Sequence, residues 1–179
     1  SANDELEAIV KDMASVIKEN ITLKSVTLVK AGAAEYVHSY VHGEGKLAVV
    51  VKMRADKAEA FKNASVTGFV HDLALHVAAF RPMFVDQGRI GADWIKEQQE
   101  IFQKQVEGDE KMVGKPAKVI EGILAGKLKK LMSEICLVDQ GFVKDEKQTV
   151  AAVMASIAKA AGTQLSIVDY AYIKVGDNQ

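Results

Sequence analysis

Apolar residues recur at steps of three and four in five segments of the chain, which is the spacing of one face of an α-helix. This pattern predicts helices over residues 5–19, 69–80, 94–107, 116–135 and 147–161. The residues at their ends are types that favour helix boundaries. They are Asp93 as the N-cap of the third helix, Pro116 at the start of the fourth, Pro82 after the second and Gly162 after the last.

The third and fourth helices are joined by the polar residues 108–111, a short connector typical of antiparallel helix pairs. Apolar residues form one stripe along the fourth helix, at Ile120, Leu124, Leu128, Leu131 and Ile135. Gly122 and Gly126 within it each cost about 1 kcal/mol relative to alanine, so packing must stabilise this helix. The glycines either allow close approach of the partner helix or are tolerated because the stripe dominates. We therefore predict an αα-hairpin.

β-branched residues cluster in short segments that predict strands at residues 25–29, 36–41, 47–53 and 165–173. Gly32 and the sequence HGEGK at 42–46 mark turns that are short enough for antiparallel neighbours. The valines at 49–51 predict that the strand at 47–53 is buried on both faces. The fold class is therefore predicted to be α+β, with a small antiparallel sheet covered by helices and a protruding antiparallel helical hairpin.

The predicted elements divide the chain into three parts. Residues 1–20 form an N-terminal helix and linker, residues 21–89 and 136–179 form an α+β core, and residues 90–135 form the helical hairpin inserted into that core.

Composition narrows the classes of function. A formal net charge of -1 provides no general attraction to nucleic acid or to an anionic membrane. No apolar run approaches the roughly 20 residues that span a bilayer. Cys136 is the only cysteine, so the chain has no internal disulfide and no CxxC motif. We expect a cytoplasmic protein whose partner is another protein, with no membrane and no direct nucleic-acid contact.

The candidate chemical sites in the sequence are weak. His38 and His42 lie on one strand face, too far apart at about 3.3 Å per residue to share a metal ion. His71 and His76 point in different directions on a helix. The sequence GEGK at 43–46 lacks the spacing of a phosphate-binding loop and precedes a strand. No nucleophile motif is recognisable. We therefore predict no catalytic residue, no metal, no cofactor and no enzyme activity.

Several motifs follow one another along the chain: SYVHG at 39–43, DLALHVAA at 72–79, GKP at 114–116, GKLKK at 126–130, EICL at 134–137 and QGFVKD at 140–145. Taken in this order, they resemble the C-terminal half of translation elongation factor Ts, the family of guanine-nucleotide exchange factors for elongation factor Tu. The shared order is far more specific than any one motif. The resemblance covers the chain from about residue 20 onward.

The resemblance implies that two segments bind the third domain of elongation factor Tu, in its GDP-bound and nucleotide-free forms. The implied contact residues are Tyr40, His42 and Gly43 on the turn and Phe142, Val143 and Lys144 on the loop after the hairpin. A histidine at a turn is a candidate for an exposed interface. The pair Phe142 and Val143 either provides apolar interface anchors or fills the local core.

The sequence TGFV at 67–70 resembles the Thr-Asp-Phe-Val exchange motif of the family only superficially. Gly68 replaces the aspartate, and the residues that follow match a later segment of the family. Phe69 and Val70 are therefore predicted to be core residues. We expect a C-terminal fragment that lacks the N-terminal module and the exchange motif, docks onto elongation factor Tu and exchanges nucleotide poorly.

Two hypotheses follow. In the first, the chain is part of an exchange factor that promotes GDP release from elongation factor Tu during translation elongation. In the second, it is a structural self-association or protein-interaction module without exchange activity, which forms a homodimer through the hairpin.

Overall fold

A computed structural model of the protein describes residues 2–176. Residues 1 and 177–179, which the predicted N-terminal and core parts include, lie outside the described residues. The chain is divided into two compact units, with the boundary between Lys30 and Ala31.

The first unit contains the predicted N-terminal helix, α1 (Ala2–Ile17), with Asp4 and Glu5 in the first turn, where the helix dipole favours negative charge. The strand predicted at residues 25–29 is wrong, because residues 20–30 form no regular structure. Val26 and Leu28 in this segment are 58% and 75% exposed. β-branched side chains favour a strand, but a strand also needs a hydrogen-bonded neighbour, and residues 20–30 have none among the described residues.

The second unit contains the sheet and the remaining helices. Its elements are β1 (Glu35–His42), β2 (Leu47–Ala55), α2 (Ala64–Phe80), α3 (Ala92–Glu107), α4 (Ala117–Ile135), β3 (Gly141–Phe142), β4 (Asp145–Thr149), α5 (Val150–Ala161) and β5 (Leu165–Lys174). The predicted α+β class is confirmed. No helix within residues 2–176 is long and apolar enough to cross a lipid bilayer.

β2 is the central strand of a three-stranded antiparallel sheet with the order β1-β2-β5. Its pairing with β1 runs from Arg54 opposite Glu35 to Leu47 opposite His42. β3 and β4 form a separate two-stranded sheet. The strands predicted at 36–41, 47–53 and 165–173 are confirmed.

One face of the three-stranded sheet packs against helices. Val49, Val51 and Met53 of β2 are fully buried and belong to one core cluster with residues of α2 and α5. The alternate residues Val50 and Lys52 are only half-buried. The prediction that this strand is buried on both faces is wrong, because an antiparallel sheet needs a packed layer on one face only.

Three of the four predicted boundary residues lie at helix ends, whereas α2 begins at Ala64 rather than Phe69 and α5 begins at Val150 rather than Lys147. Pro116 is the N-cap of α4, α2 ends before Pro82, and Gly162 follows α5 with a φ of 64°. Asp93 is not the N-cap of α3, because the helix begins earlier and Gly91 occupies that position. Asp93 lies in the first turn, where its carboxylate still interacts favourably with the exposed N–H groups.

The predicted αα-hairpin consists of α3 and α4. The two helices contact each other through Lys127, whose Nζ lies 3.4 Å from Gln105 Oε1 and 5.7 Å from the centre of the Phe102 ring. A second apolar cluster at the base of the hairpin contains Ile90, Met132, Ile135 and Cys136. The end of α4 is also held by the backbone, since Ile135 accepts a hydrogen bond from the Met83 N–H at 2.8 Å.

Candidate functional site

The turn between β1 and β2 presents the first group of predicted contact residues. Gly43 opens the turn with a φ of +61°, a conformation that favours glycine. His42 is exposed and Tyr40 is half-buried. The Tyr40 hydroxyl lies 2.8 Å from His42 Nδ1, within hydrogen-bonding distance. The hydrogen bond to Tyr40, a residue of β1, therefore orients the His42 imidazole at the surface.

The loop after the hairpin contains the second group. Phe142 is only 5% exposed, and its ring centre lies 5.8 Å from that of Phe69. Val143 is half-buried, whereas the Lys144 side chain is 61% exposed. Phe142 therefore supports the loop from the core, while Lys144 and part of Val143 face solvent.

Helix α2 lies between these two groups and contacts both. The ring of His71 lies 6.0 Å from that of Tyr40, in an edge-to-face arrangement. The next residue, Asp72, places its Oδ1 2.7 Å from Lys144 Nζ. We use the name turn–loop surface for the residues of both groups that are exposed or half-buried. They are Tyr40, His42, Gly43, Val143 and Lys144.

The sequence did not reveal the histidine contact between β1 and α2. His38 Nε2 lies 3.0 Å from His71 Nδ1, although the two residues are separated by 33 positions. Burial, and secondarily the charge of His71, lower the pKa of His38 from its ordinary value. The sequence indicated only that His38 lies in a predicted strand and His71 in a predicted helix.

His76 is a second histidine whose role depends on the fold. It is fully buried in α2. Its Nε2 lies 2.8 Å from Gln140 Oε1, and its Nδ1 accepts a hydrogen bond from the Val143 N–H at 3.2 Å. Burial lowers the pKa of His76, while the Gln140 contact acts in the opposite direction. Both ring nitrogens of this buried histidine therefore have hydrogen-bond partners within the protein.

The chemistry available at the turn–loop surface is that of recognition. An imidazole, a phenol, an ammonium group and a valine side chain can hydrogen-bond to, pair with and pack against another protein. Within residues 2–176, no cluster of three or more histidine, cysteine, aspartate or glutamate side chains could hold a metal ion. Phe69 and Val70 are 2% and 0% exposed, so the prediction that they are core residues is confirmed.

Comparison with known proteins identifies similar sequences over almost the whole chain. The model of the family described as Elongation factor TS matches residues 1–177. Elongation factor Ts of Borrelia hermsii is 41% identical over 177 residues, which are 98% of this chain and 62% of that protein. Elongation factor Ts of Treponema denticola is 41% identical over 165 residues, 92% of this chain and 58% of that protein. The chain thus spans about 60% of the length of these relatives.

Proposed function

Because the chain belongs to the elongation factor Ts family, we propose that it acts in translation elongation as a partner of elongation factor Tu. It is part of a guanine-nucleotide exchange factor that promotes GDP release, and this part mainly supplies docking to the third domain of elongation factor Tu. The family match over residues 1–177 is the observation that carries this proposal.

The turn–loop surface is the proposed docking site. Its two segments come from opposite halves of the chain, and α2 contacts both through His71 and Asp72. The exposed groups His42 and Lys144 bind the partner directly, while the half-buried Tyr40 and Val143 form the apolar rim. Phe142 acts from beneath the loop, because its ring is buried in the core.

Exchange activity requires a difference in affinity between two states of the partner. A factor that binds nucleotide-free elongation factor Tu more tightly than the GDP-bound form weakens GDP binding by the same factor, because binding free energies are reciprocal. No bond is formed or broken, so this role requires no catalytic residue and no cofactor. Docking is assigned to the turn–loop surface, and the exchange motif of the family is not among the motifs of this chain.

Binding measurements with matched lysine variants test the docking site. Lys144→Ala and His42→Ala are each expected to weaken binding to nucleotide-free elongation factor Tu by about tenfold. Lys130→Ala is the control, because Lys130 is an exposed lysine of α4 that also lies near a carboxylate, 3.9 Å from Glu134 Oε1. Calorimetry or surface plasmon resonance gives the affinities. Equal affinities for Lys144→Ala and Lys130→Ala would exclude Lys144 from the interface.

Release of a fluorescent GDP analogue from elongation factor Tu tests whether this chain supplies docking without efficient nucleotide exchange. The chain is expected to bind elongation factor Tu yet to accelerate release only weakly compared with a full-length factor. Release as fast as that produced by a full-length factor would contradict the assignment of docking alone to this part. A complete absence of binding would contradict the proposed function itself.

The hairpin supports a second candidate function, self-association. An open groove of about 680 Å³ lies between α3 and α4, and its apolar lining includes Phe102, Leu124 and Leu128. Outside the lining of the groove, Ile101 of α3 and Val119 of α4 are 40% and 44% exposed. Sedimentation equilibrium at micromolar concentration measures this association. If the groove holds a second hairpin, the chain is a dimer and Leu124→Glu is a monomer, whereas a monomeric unaltered chain excludes this function.

A further inference from the structure

We propose that His76 is a positioning residue for the turn–loop surface, because its buried imidazole fixes the backbone of the loop at Val143. This inference rests on the function proposed above, and it adds a residue that does not reach the surface. His76 is fully buried, while Val143 is half-buried at the surface. The hydrogen bond between Val143 N–H and His76 Nδ1, at 3.2 Å, joins them.

The surrounding hydrogen bonds determine which nitrogen of His76 carries the proton. The Val143 backbone N–H can only donate, so Nδ1 must be the unprotonated acceptor. The Gln140 side-chain nitrogen donates to the Glu134 carbonyl at 2.6 Å, which leaves Gln140 Oε1 facing His76 Nε2 at 2.8 Å. Because Oε1 can only accept, Nε2 carries the proton. His76 is therefore neutral, with the hydrogen on Nε2.

Packing leaves the imidazole in one orientation. The ring is stacked on Phe80, with 4.6 Å between centres, and on Phe142, with 6.2 Å between centres. A buried ring with both nitrogens hydrogen-bonded cannot turn without leaving a polar atom unpaired. The Val143 N–H is therefore held at a fixed point relative to α2.

Helix α2 thus holds the loop at two successive points. Asp72 pairs with the Lys144 side chain at 2.7 Å, and His76 lies one helical turn further along and binds the Val143 backbone. The Lys144 side chain is 61% exposed, so solvent weakens its pair with Asp72, whereas the hydrogen bond that His76 accepts from the Val143 N–H is partly buried. His76 is therefore the residue that determines where the exposed Lys144 is presented to a partner.

Two variants separate the hydrogen bond from the packing of the ring. His76→Phe keeps an aromatic ring between Phe80 and Phe142 but removes the acceptor. His76→Asn provides an amide oxygen close to the position of Nδ1. Hydrogen exchange of the Val143 amide reports the bond directly. We expect exchange to be about tenfold faster in His76→Phe and close to that of the unaltered chain in His76→Asn.

Binding to nucleotide-free elongation factor Tu is the functional readout of the same variants. His76→Phe is expected to weaken binding about tenfold, mainly through faster dissociation, and His76→Asn is expected to restore it. Equal affinity of His76→Phe and the unaltered chain, together with faster Val143 exchange, would overturn the positioning role. If the unaltered chain does not bind, the proposed function fails, and with it the role of His76 in docking.

The unaltered protein provides a test that does not depend on the folding of any variant. Long-range proton–nitrogen correlation spectra distinguish the two neutral forms of histidine. The hydrogen of His76 is expected on Nε2, with Nδ1 at the shift of an unprotonated nitrogen. A hydrogen on Nδ1 would overturn the inference, because that nitrogen could not accept the Val143 bond.

Discussion

His38 Nε2 lies 3.0 Å from His71 Nδ1, and this contact joins β1 to α2 next to Tyr40 of the turn–loop surface. Only one hydrogen can occupy the space between the two nitrogens. At least one of these nitrogens must therefore be unprotonated for the contact to form. Burial, and then the charge of His71, lower the pKa of His38 from its ordinary value of 6.5.

This contact predicts a stability that falls in mild acid. Because the folded state holds His38 at a lower pKa than the unfolded state, the unfolded state binds the proton first as the pH decreases. The contribution of neutral His38 is therefore complete above pH 6.5 and decreases below it. Urea unfolding between about pH 5 and pH 8 measures this loss, which His38→Gln should reduce. His42→Gln is the control and should leave the pH dependence of stability unchanged. If His38→Gln also leaves it unchanged, the prediction for His38 is contradicted.

Phe142 and His42 are predicted to affect different properties. Phe142→Ala should lower the free energy of unfolding by about 3 kcal/mol or more, because it removes a ring that is packed in the core. His42→Ala should change it by less than about 0.5 kcal/mol, because its imidazole is exposed. Denaturant unfolding of both variants measures this difference. A fully stable Phe142→Ala variant would show that the ring is not part of the core.

Glu35 is predicted to stabilise the start of β1 down to acidic pH. Hydrogen bonds to Lys52 and Arg54 of β2, and to the Gly32 N–H, lower the pKa of Glu35 to about 2. This pKa is below the unfolded value of 4.5. The contribution of ionised Glu35 to the free energy of unfolding is therefore complete above pH 4.5 and is lost as the pH falls toward 2. Glu35→Gln should therefore destabilise the protein most above pH 4.5, and the difference should shrink in acid. Denaturant unfolding of Glu35→Gln and the unaltered protein from neutral to acidic pH measures this difference. Glu97→Gln, at an exposed glutamate of α3, is the control.

Cys136 is predicted to resist alkylation while the protein is folded. The thiol is fully buried, and burial raises its pKa to about 11. Because the thiolate is the reactive form, iodoacetamide should modify it slowly at about pH 8 and quickly in denaturing urea. Mass spectrometry of the modified protein measures both rates. Rapid modification under native conditions would show that the base of the hairpin opens readily.

Two glycines are predicted to respond oppositely to alanine. A Cβ on Gly141 would lie 2.8 Å from the Glu146 carbonyl oxygen, so Gly141→Ala must displace the loop. We expect a loss of about 1–3 kcal/mol. A Cβ on Gly68 in α2 would meet no atom within 4 Å beyond the backbone of its own helix, and Gly68→Ala should add up to about 1 kcal/mol. Thermal unfolding of both variants measures the two changes in stability. A loss of stability in Gly68→Ala would contradict the prediction that a Cβ fits at this position without a clash.

The sequence determined the features that depend on near neighbours along the chain. Helical periodicity and boundary residues placed both ends of each of the five predicted helices no more than five residues from the observed ends, and the connector at 108–111 indicated the hairpin. Clustered β-branched residues indicated three of the four predicted strands correctly. The segment at 25–29 is also rich in β-branched residues but forms no strand, which shows that a strand depends on a partner as well as on its own residues.

Only the tertiary structure decided which distant residues meet. The sequence proposed both halves of the turn–loop surface through family resemblance, but it could not show that α2 links them through His71 and Asp72 or that Phe142 lies beneath the loop. It also could not assign His76 to Val143, which is 67 positions away. The physical reason is that local spacing fixes which face of an element a side chain occupies, whereas the packing of elements fixes what that face meets.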